Sequence, residues 1–363
     1  MMPHDKLQTV LTLDAGGTNF VFSAIRDNIE IIQPIELPAY PDDLQQCLKV
    51  IVFGFNEAIS RIDGEPAAIS FAFPGPADYI NGIIGDLPNF PAFRGGVALG
   101  PYLMNKFKIP VFINNDGNLF AYGEALAGVL PEVNRQLESA GNPKRYSNLL
   151  AVTLGTGFGG GVVINNQLLL GDNGCGGDVW LSANKLDNRL LAEEGVSIRA
   201  VTRVYNELTG KRTTLTPKEI YEIAKGIGDG DREAAVKSFE TLGEVAGYTI
   251  AESLNIVDGI VVIGGGIANA HEFILPSLIR EMKGYRETMS GVKFPRLQME
   301  VYNLEDEKEH AAFLKDDSFS VIVPESGREV IYQSVKKIGV AVSRIGTNNA
   351  IALGAYNYAL NNL

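Results

Sequence analysis

The stretch Thr9 to Ser23, TVLTLDAGGTNFVFS, runs apolar, then through a glycine turn, then apolar again. Asp14 stands at the end of the first run, and Ala15, Gly16, Gly17, Thr18 and Asn19 make the turn. Two adjacent glycines permit left-handed backbone and close approach. A turn of this kind presents backbone N–H groups that can cradle an anion. An aspartate beside it can hold a hydrated Mg²⁺ against a phosphate. Asp and Gly also build ordinary hairpin turns, so this stretch alone does not separate phosphate binding from chain reversal. The same design returns later. Leu149–Leu154 leads into Gly155, Thr156, Gly157, Phe158, Gly159, Gly160 and Gly161, followed by Val162–Ile164. Two such hairpins, one per half and both with Thr, point to two related domains serving one phosphate chain.

A second chemical feature is Asn114-Asn115-Asp116, directly after the short apolar run Val111–Ile113. A carboxylate at a strand end in a polar turn can meet a hydroxyl and take its proton. The same residues also make an Asx-turn or a helix N-cap ahead of Leu119, the commoner use of such a pair. A buried run, Gly259 to Ile263, ends in Gly264-Gly265-Gly266, and Ala67–Phe73 ends in the rigid turn Pro74-Gly75-Pro76.

The elements that must carry these groups follow from periodicity. The opening hairpin spans residues 7–25, with a third strand at Ile29–Leu37 and a short strand pair around Ile80–Ile84. Leu44, Leu48, Ile51, Val52, Phe55 and Ile59 predict a helix over Asp42–Ile62, with Asp42 or Asp43 as its cap. Helices are expected at Pro101–Lys108, after Asn118, and at Arg189–Leu208. Others are expected at Thr216–Lys225 (opened by Thr216-Pro217), Asp231–Asn255, Ile274–Met282 and Gly346–Leu363. Pro131–Asn148 reads as a polar surface excursion, Leu304–His310 as a solvated charged patch, and Val321–Lys337 has no clear pattern. Strands alternating with helices predict an α/β protein.

The 363 residues suffice for two domains. A net charge of -12 disfavours non-specific binding of nucleic acid or anionic membrane, while backbone amides can still hold a small phosphorylated ligand. Two cysteines, Cys47 and Cys175, are too few for a disulfide framework or a cysteine-rich zinc site. The opening MMPHDKLQ lacks an apolar signal core, and no apolar run is long enough to span a bilayer, so a cytoplasmic protein is expected.

The motifs DAGGTN (14–19), FPGPAD (73–78), LPNF (87–90), NND (114–116), LGTGFGGG (154–161), VIGGGIAN (262–269) and NNAIALGA (348–355) stand in one order. That order resembles the ROK family of sugar kinases and repressors across nearly the whole chain. The resemblance implies an α/β, two-domain actin-like ATPase (ribonuclease H-like) fold with a cleft between domains. Residues 1–116 plus 347–363 would form the first domain and 117–346 the second. It further implies ATP-dependent phosphorylation of a hexose or hexose derivative, as in a glucokinase. In that reading Asp14 faces Mg²⁺, and Gly16, Gly17, Thr18 and Asn19 form the first phosphate loop. Gly155, Thr156, Gly157 and Gly159 form the second, and Gly264, Gly265 and Gly266 lie against adenosine. Asp116 is the base, and Asn89, Asn115, Asp116, Asp178 and Glu193 bind the sugar. A homo-oligomer, dimer or tetramer, is the expected assembly.

The chain departs from the family pattern downstream. Where the family shows Gly-Glu-Ile-Gly-His, it has Gly177-Asp178-Val179-Trp180-Leu181, and Ser182–Leu191 contains no Cys. No structural zinc of the family type is therefore expected. Loss of the His puts the usual sugar preference in doubt. Glu193, four before Ser197, best fits the second family glutamate, with adjacent Glu194 as the alternative. Trp180 is either a platform for the sugar or a packing residue. A repressor is disfavoured, since thirteen residues precede Asp14 and the chain is acidic. A catalytically weak sugar-sensing protein is the other alternative. Two hinges are expected, at Asp116–Ala127 with Gly117 and at Arg344–Ala352 with Gly346.

Overall fold

The computed structural model describes residues 8–363 apart from Gly17, Pro76 and 86–89. Gly17 and Asn89, both named above, therefore lie outside the described residues. The opening hairpin is β1 (Val10–Ala15) with β2 (Asn19–Arg26), in antiparallel register from Val10↔Ile25 to Ala15↔Phe20. The single third strand expected at Ile29–Leu37 is instead two, β3 (Ile29–Glu30) and β4 (Ile35–Pro38), both paired with β2. Pro34, which has no N–H to give a ladder, sits in the break. Helix α1 (Leu44–Ser60) is capped by Asp43, whose carboxylate accepts from the Gln46 N–H at 3.0 Å. Strand β5 (Ala68–Ala72) is followed by the small pair β6 (Ala77–Asp78) and β7 (Ile83–Ile84), helix α2 (Leu99–Phe107), strand β8 (Val111–Asn114) and helix α3 (Asp116–Leu126). The sheet runs β3-β2-β1-β5-β8, and β1, β5 and β8 are parallel. Phe22, Phe55, Phe71, Phe73 and Phe93 fill the core between this sheet and its helices.

The chain then enters a second compact unit. Helix α4 (Val129–Ser139) replaces much of the expected polar excursion at Pro131–Asn148. Val129, Leu130, Val133 and Leu137 form a buried stripe at helical spacing, which the polar residues between them mask in the sequence. Strands β9 (Leu149–Leu154), β10 (Phe158–Ile164) and β11 (Gln167–Leu168) follow. Helix α5 covers only Ile198–Thr209 rather than Arg189–Leu208, because Ser197 caps it and residues 192–194 make a 3₁₀ turn ahead of Gly195. Helix α6 (Pro217–Ala224) opens with a capping box of Thr216 and Glu219. Helix α7 (Arg232–Val257), strand β12 (Ile260–Gly264) and helix α8 (His271–Met282) follow as expected.

Beyond α8 the chain carries short, exposed elements with little apolar periodicity. A hairpin of β13 (Tyr285–Glu287) and β14 (Lys293–Pro295) precedes β15 (Glu300–Asn303). The patch expected to be solvated, Leu304–His310, is structural. Asp306 caps α9 (Glu307–Leu314), and Glu305 accepts from the Val342 N–H at 2.8 Å and pairs with Arg344 at 2.7 Å. The unplaced Val321–Lys337 region holds a second hairpin, β16 (Phe319–Ile322) with β17 (Glu329–Tyr332), and leads into β18 (Lys337–Val342). Strands β9, β12, β18 and β15 lie side by side in that order, all parallel.

The last helix, α10 (Thr347–Asn362), belongs to the first unit, where Leu353, Tyr356 and Ala359 pack on Val10, Ile25 and Ala68. The first unit comprises 1–128, 161–177 and 345–363, and the second 129–160 and 178–344. This division differs from the sequence boundary at 116. Helix α3 packs face to face with α10, at contacts so close that a Cβ on Gly123 would lie 1.9 Å from the Ala350 carbonyl oxygen. That places α3 in the first unit. No helix among the described residues is long and apolar enough to cross a membrane.

Candidate active site

In the first unit the parallel register gathers three strand ends. Asp14 on β1 lies opposite Ala72 on β5, and Ala72 opposite Asn114 on β8. In parallel α/β sheets the carboxyl edge is where ligands bind. Asn115 and Asp116 follow at this edge. The capping reading of the pair holds for Asn115, whose Oδ1 accepts from the Gly117 N–H at 2.8 Å and caps α3. Its Nδ2 faces the Tyr79 hydroxyl at 3.5 Å, and Tyr79 donates to the Phe73 carbonyl at 2.9 Å. A Cβ on Gly75 would lie 2.8 Å from that hydroxyl, so the Pro74-Gly75 turn is shaped to this network. Asp116 is the first residue of α3, solvent-exposed, with one oxygen 2.9 Å from the Gly117 N–H. Surrounding protein desolvates its carboxyl and raises it above the ordinary 3.8, against the pull of the Gly117 N–H and its own. Asp14 is raised too, first by desolvation and then by the charge of Asp116.

The turn after Asp14 is tight. A Cβ on Gly16 would sit 2.8 Å from the Asn19 carbonyl oxygen, so glycine is required there by close approach. Thr18 is exposed, and its carbonyl accepts from the Ala39 N–H at 2.9 Å. The Asn19 side chain turns back to donate to Glu36.

In the second unit, the ends of β9 and β12 meet in parallel, with Thr153 opposite Gly264. Gly265 has φ +89 and no room for a side chain, since a Cβ would lie 2.3 Å from the Leu154 carbonyl oxygen. The missing Cβ of Gly266 faces open space. That space is a cavity of about 490 Å³ bounded by Gly155, Thr156, Gly266, Pro217, Tyr221 and Phe239. Its remaining polar groups come from Thr216, Lys218 and Asn269. Of these only the glycines and Thr156 stand out in the sequence. Pro217, Tyr221 and Phe239 carry ordinary helical patterns and show no signal of the cavity. The missing Cβ of Gly155 also meets nothing within 4 Å, whereas a Cβ on Gly159 would meet the Thr153 hydroxyl at 2.4 Å.

Glu193 lies against this glycine loop. Its Oε2 accepts from the Phe158 N–H at 3.1 Å and would lie 2.5 Å from a Cβ on Gly157. Arg199 reaches Glu193 and Glu194, both at 3.3 Å. Glu194 is the more exposed of the two, so the geometry favours Glu193 as the residue tied to the loop. Asp178 is exposed, its carboxyl raised by desolvation and held by a hydrogen bond from Trp180. Trp180 is half-buried and so belongs to this carboxylate's support, while Leu181 is 54% exposed. The loop 182–191 is closed by amide and charge. Buried Asn184 accepts from the Leu186 N–H at 2.9 Å and donates to the Leu191 carbonyl at 3.2 Å. Lys185 bonds to Glu244 and to Glu281, the latter at 2.7 Å.

The ROK family model matches residues 10–306. The chain belongs to the ROK family. It is 28% identical over 306 residues to a glucokinase of Thermotoga maritima, covering 78% of this chain and 89% of that one. It is 27% identical over 282 residues to an N-acetyl-D-glucosamine kinase of Haemophilus influenzae, covering 71% and 84%. Among solved structures, a glucokinase of Parabacteroides distasonis superposes with TM-score 0.91 at 56% identity over 100% of both chains. The fold is that of the actin-like ATPases within this family.

Proposed function

We propose that this protein is an ATP-dependent kinase of a hexose or hexose derivative, with Asp116 as the base that takes the proton of the acceptor hydroxyl. The observation that carries the proposal is Asp116 itself: an exposed carboxylate at the carboxyl edge of β8, raised above its ordinary range, with a second carboxylate beside it. The likeness to glucokinases and N-acetylglucosamine kinases supports the substrate class. Phosphoryl transfer asks the protein for positioning, charge neutralisation and a base, and little covalent chemistry.

The roles of the chain's residues follow. Asn115 caps α3 and holds the strand end that presents Asp116, while its amide faces the Tyr79 hydroxyl. Asp14 is the hard oxygen ligand suited to Mg²⁺, which would neutralise phosphate charge when bound. The 490 Å³ cavity, apolar along one side with a few polar groups, fits a nucleoside, and the bare backbone at Gly266 lets it approach. The backbone N–H groups of Thr156 and Gly157 in one loop, and of Gly16 and Thr18 in the other, then serve the phosphates. Glu193 braces the second of these loops through Phe158 and is itself held by Arg199. A carboxylate accepts up to about four hydrogen bonds, so this brace leaves it free to take a sugar hydroxyl as well. Asp178, oriented by Trp180, is the further candidate for a hydroxyl.

A coupled assay for ADP release, run with ATP and Mg²⁺ across glucose, mannose, N-acetylglucosamine and N-acetylmannosamine, tests the reading. Turnover with at least one hexose, abolished in Asp116→Asn, is expected. Sugar binding without turnover across the panel would make the protein a sensor instead.

A further inference from the structure

A second cavity, of about 310 Å³, lies in the second unit at the other end of its sheet. Its walls are the residues that precede the parallel strands. Tyr146, Ser147 and Asn148 lead into β9, Asp258 stands just before β12, Met299 before β15, and Val335 and Lys336 before β18. The glycine loop and Gly264–Gly266 stand at the opposite, carboxyl ends of β9 and β12. A six-residue strand separates the two edges by about 20 Å at roughly 3.3 Å per residue. The cavity is therefore distinct from the candidate active site. Part of its wall, 313–318 and 333–337, also lies beyond residue 306, where the family match ends.

In a chain of net charge -12 this cavity is locally basic. Five cations line it, Lys144, Arg145, Lys315, Lys336 and Lys337, against three carboxylates. Asp317 is already taken by Lys315 at 2.9 Å and Lys337 at 2.6 Å. Asp316 is occupied as a turn acceptor for Ser318, and Arg145 is tied to Glu138 and to backbone carbonyls. Lys144 and Lys336 are exposed and have no carboxylate partner among the described residues. Five cations against three carboxylates, Asp258 among them, leave the lining a surplus of positive charge, and the ammonium groups of Lys144 and Lys336 suit a dianion. A nucleobase finds no platform here, because Tyr146 has Phe313 stacked on its ring at 5.8 Å and Lys144 over it at 5.3 Å. The polar groups of Ser147, Ser318 and Gln333 instead offer partners for hydroxyls.

We propose that this cavity binds a sugar phosphate, with the phosphomonoester held by Lys144 and Lys336 and the hydroxyls beside Ser147, Ser318 and Gln333. That such a ligand has the chemistry of the enzyme's own product rests on the proposed function; the binding itself does not. Titration calorimetry with glucose 6-phosphate and inorganic phosphate tests it on the full chain. Wild-type protein is expected to bind glucose 6-phosphate more tightly than phosphate. The K144A/K336A variant is expected to bind it at least tenfold more weakly, with an unchanged circular dichroism spectrum and unchanged basal turnover. Should that variant not fold, Lys336→Glu alone carries the same expectation. Asp116→Asn is expected to leave this affinity intact. Absence of binding, equal binding by the double variant, or inorganic phosphate binding as tightly as the sugar phosphate would overturn the assignment. A protein that binds glucose 6-phosphate here but transfers no phosphoryl group would sink the kinase reading and leave this one standing.

Discussion

Asp116 serves two physical ends that oppose each other. Its carboxyl is raised by desolvation, so the folded protein holds the ionised form at a cost. The folded-state value lies above the unfolded one, so stability from this group is greatest at low pH and falls as pH rises through the interval between them. Because Asp116 is solvent-exposed, water screens most of that cost, and Asp116→Asn is expected to leave the melting temperature near that of the wild type. The amide oxygen can still accept from Gly117, but it cannot take a proton, so kcat is expected to drop by about 10²–10⁴-fold or more. Differential scanning calorimetry and steady-state rates on one preparation check both. A variant that keeps near-normal kcat contradicts the role as base. The same raised value predicts the acid limb of kcat/KM: activity is lost as pH falls through a value above 3.8, because only the deprotonated carboxylate accepts a proton. At this scale the turns and strand ends were legible in the sequence, while the roles proposed for their residues rest on the family resemblance. Asp14, Asn115 and Asp116 stand out by residue type at strand ends, where an ordinary turn or helix cap reads the same as chemistry. The support from Tyr79 and Arg199 was not legible, since an isolated Tyr or Arg announces nothing until the fold brings it near.

Helix contacts and loop clasps decide how firmly those residues are held. Gly123 and Gly354 let α3 and α10 approach until a Cβ on either would sit 1.9 Å from a carbonyl oxygen of the other helix. In a helix interior Gly→Ala gains about 1 kcal/mol from backbone propensity. Here the backbone clash must move a whole helix, and overpacking of this kind costs about 1–3 kcal/mol or more. Gly123→Ala is therefore expected to destabilise, read as a lower urea midpoint with an unchanged slope; a stabilised variant would show that the helices part easily. The loop 182–191 is held by Lys185 to Glu244 and Glu281, and Glu281 in turn pairs with Arg296, only 5% exposed and stacked on Tyr248 at 4.3 Å. This clasp needs no metal. Purified protein is expected to hold no stoichiometric zinc and to keep its melting temperature in chelator, whereas Lys185→Met lowers it. One tightly bound zinc per chain by elemental analysis would refute this. Elements were legible where apolar spacing was clean, as in α1 and α7. They were missed where the buried stripe was short among polar residues, as in α4, or where strands lie exposed without alternation, as in β13, β14, β16 and β17.

At the scale of the molecule, the chain leaves its first unit after Gly128, passes back through it at 161–177, and returns for good at Ile345. The two-part α/β plan was visible in the repeated glycine hairpin, and the return of the C-terminal helix in the motif at 348–355. The boundary at 116 was not, because what assigns α3 to the first unit is its packing on a helix more than two hundred residues later. That topology has a consequence for folding. Leu353, Tyr356 and Ala359 cover Val10, Ile25 and Ala68 on the face of β1, β2 and β5 that α1 and α2 leave open. Tyr356 also accepts from the Asp27 N–H at 2.9 Å. Each large apolar side chain so buried stabilises by about 1.5–3 kcal/mol, and a domain's whole margin is roughly 5–15 kcal/mol. Deleting residues 346–363 is thus expected to unfold the first unit, since its sheet would face water on one side and α3 would lose its partner. Hydrogen exchange by mass spectrometry reads the outcome segment by segment. Amides of β1, β5 and α3 should lose their protection in the truncated chain, while those of β12 and α7, whose contacts lie within the second unit, keep more of theirs. Full protection of β1 and β5 without the last helix would show that the first unit closes its core before the chain is complete, and that α10 is an addition to it.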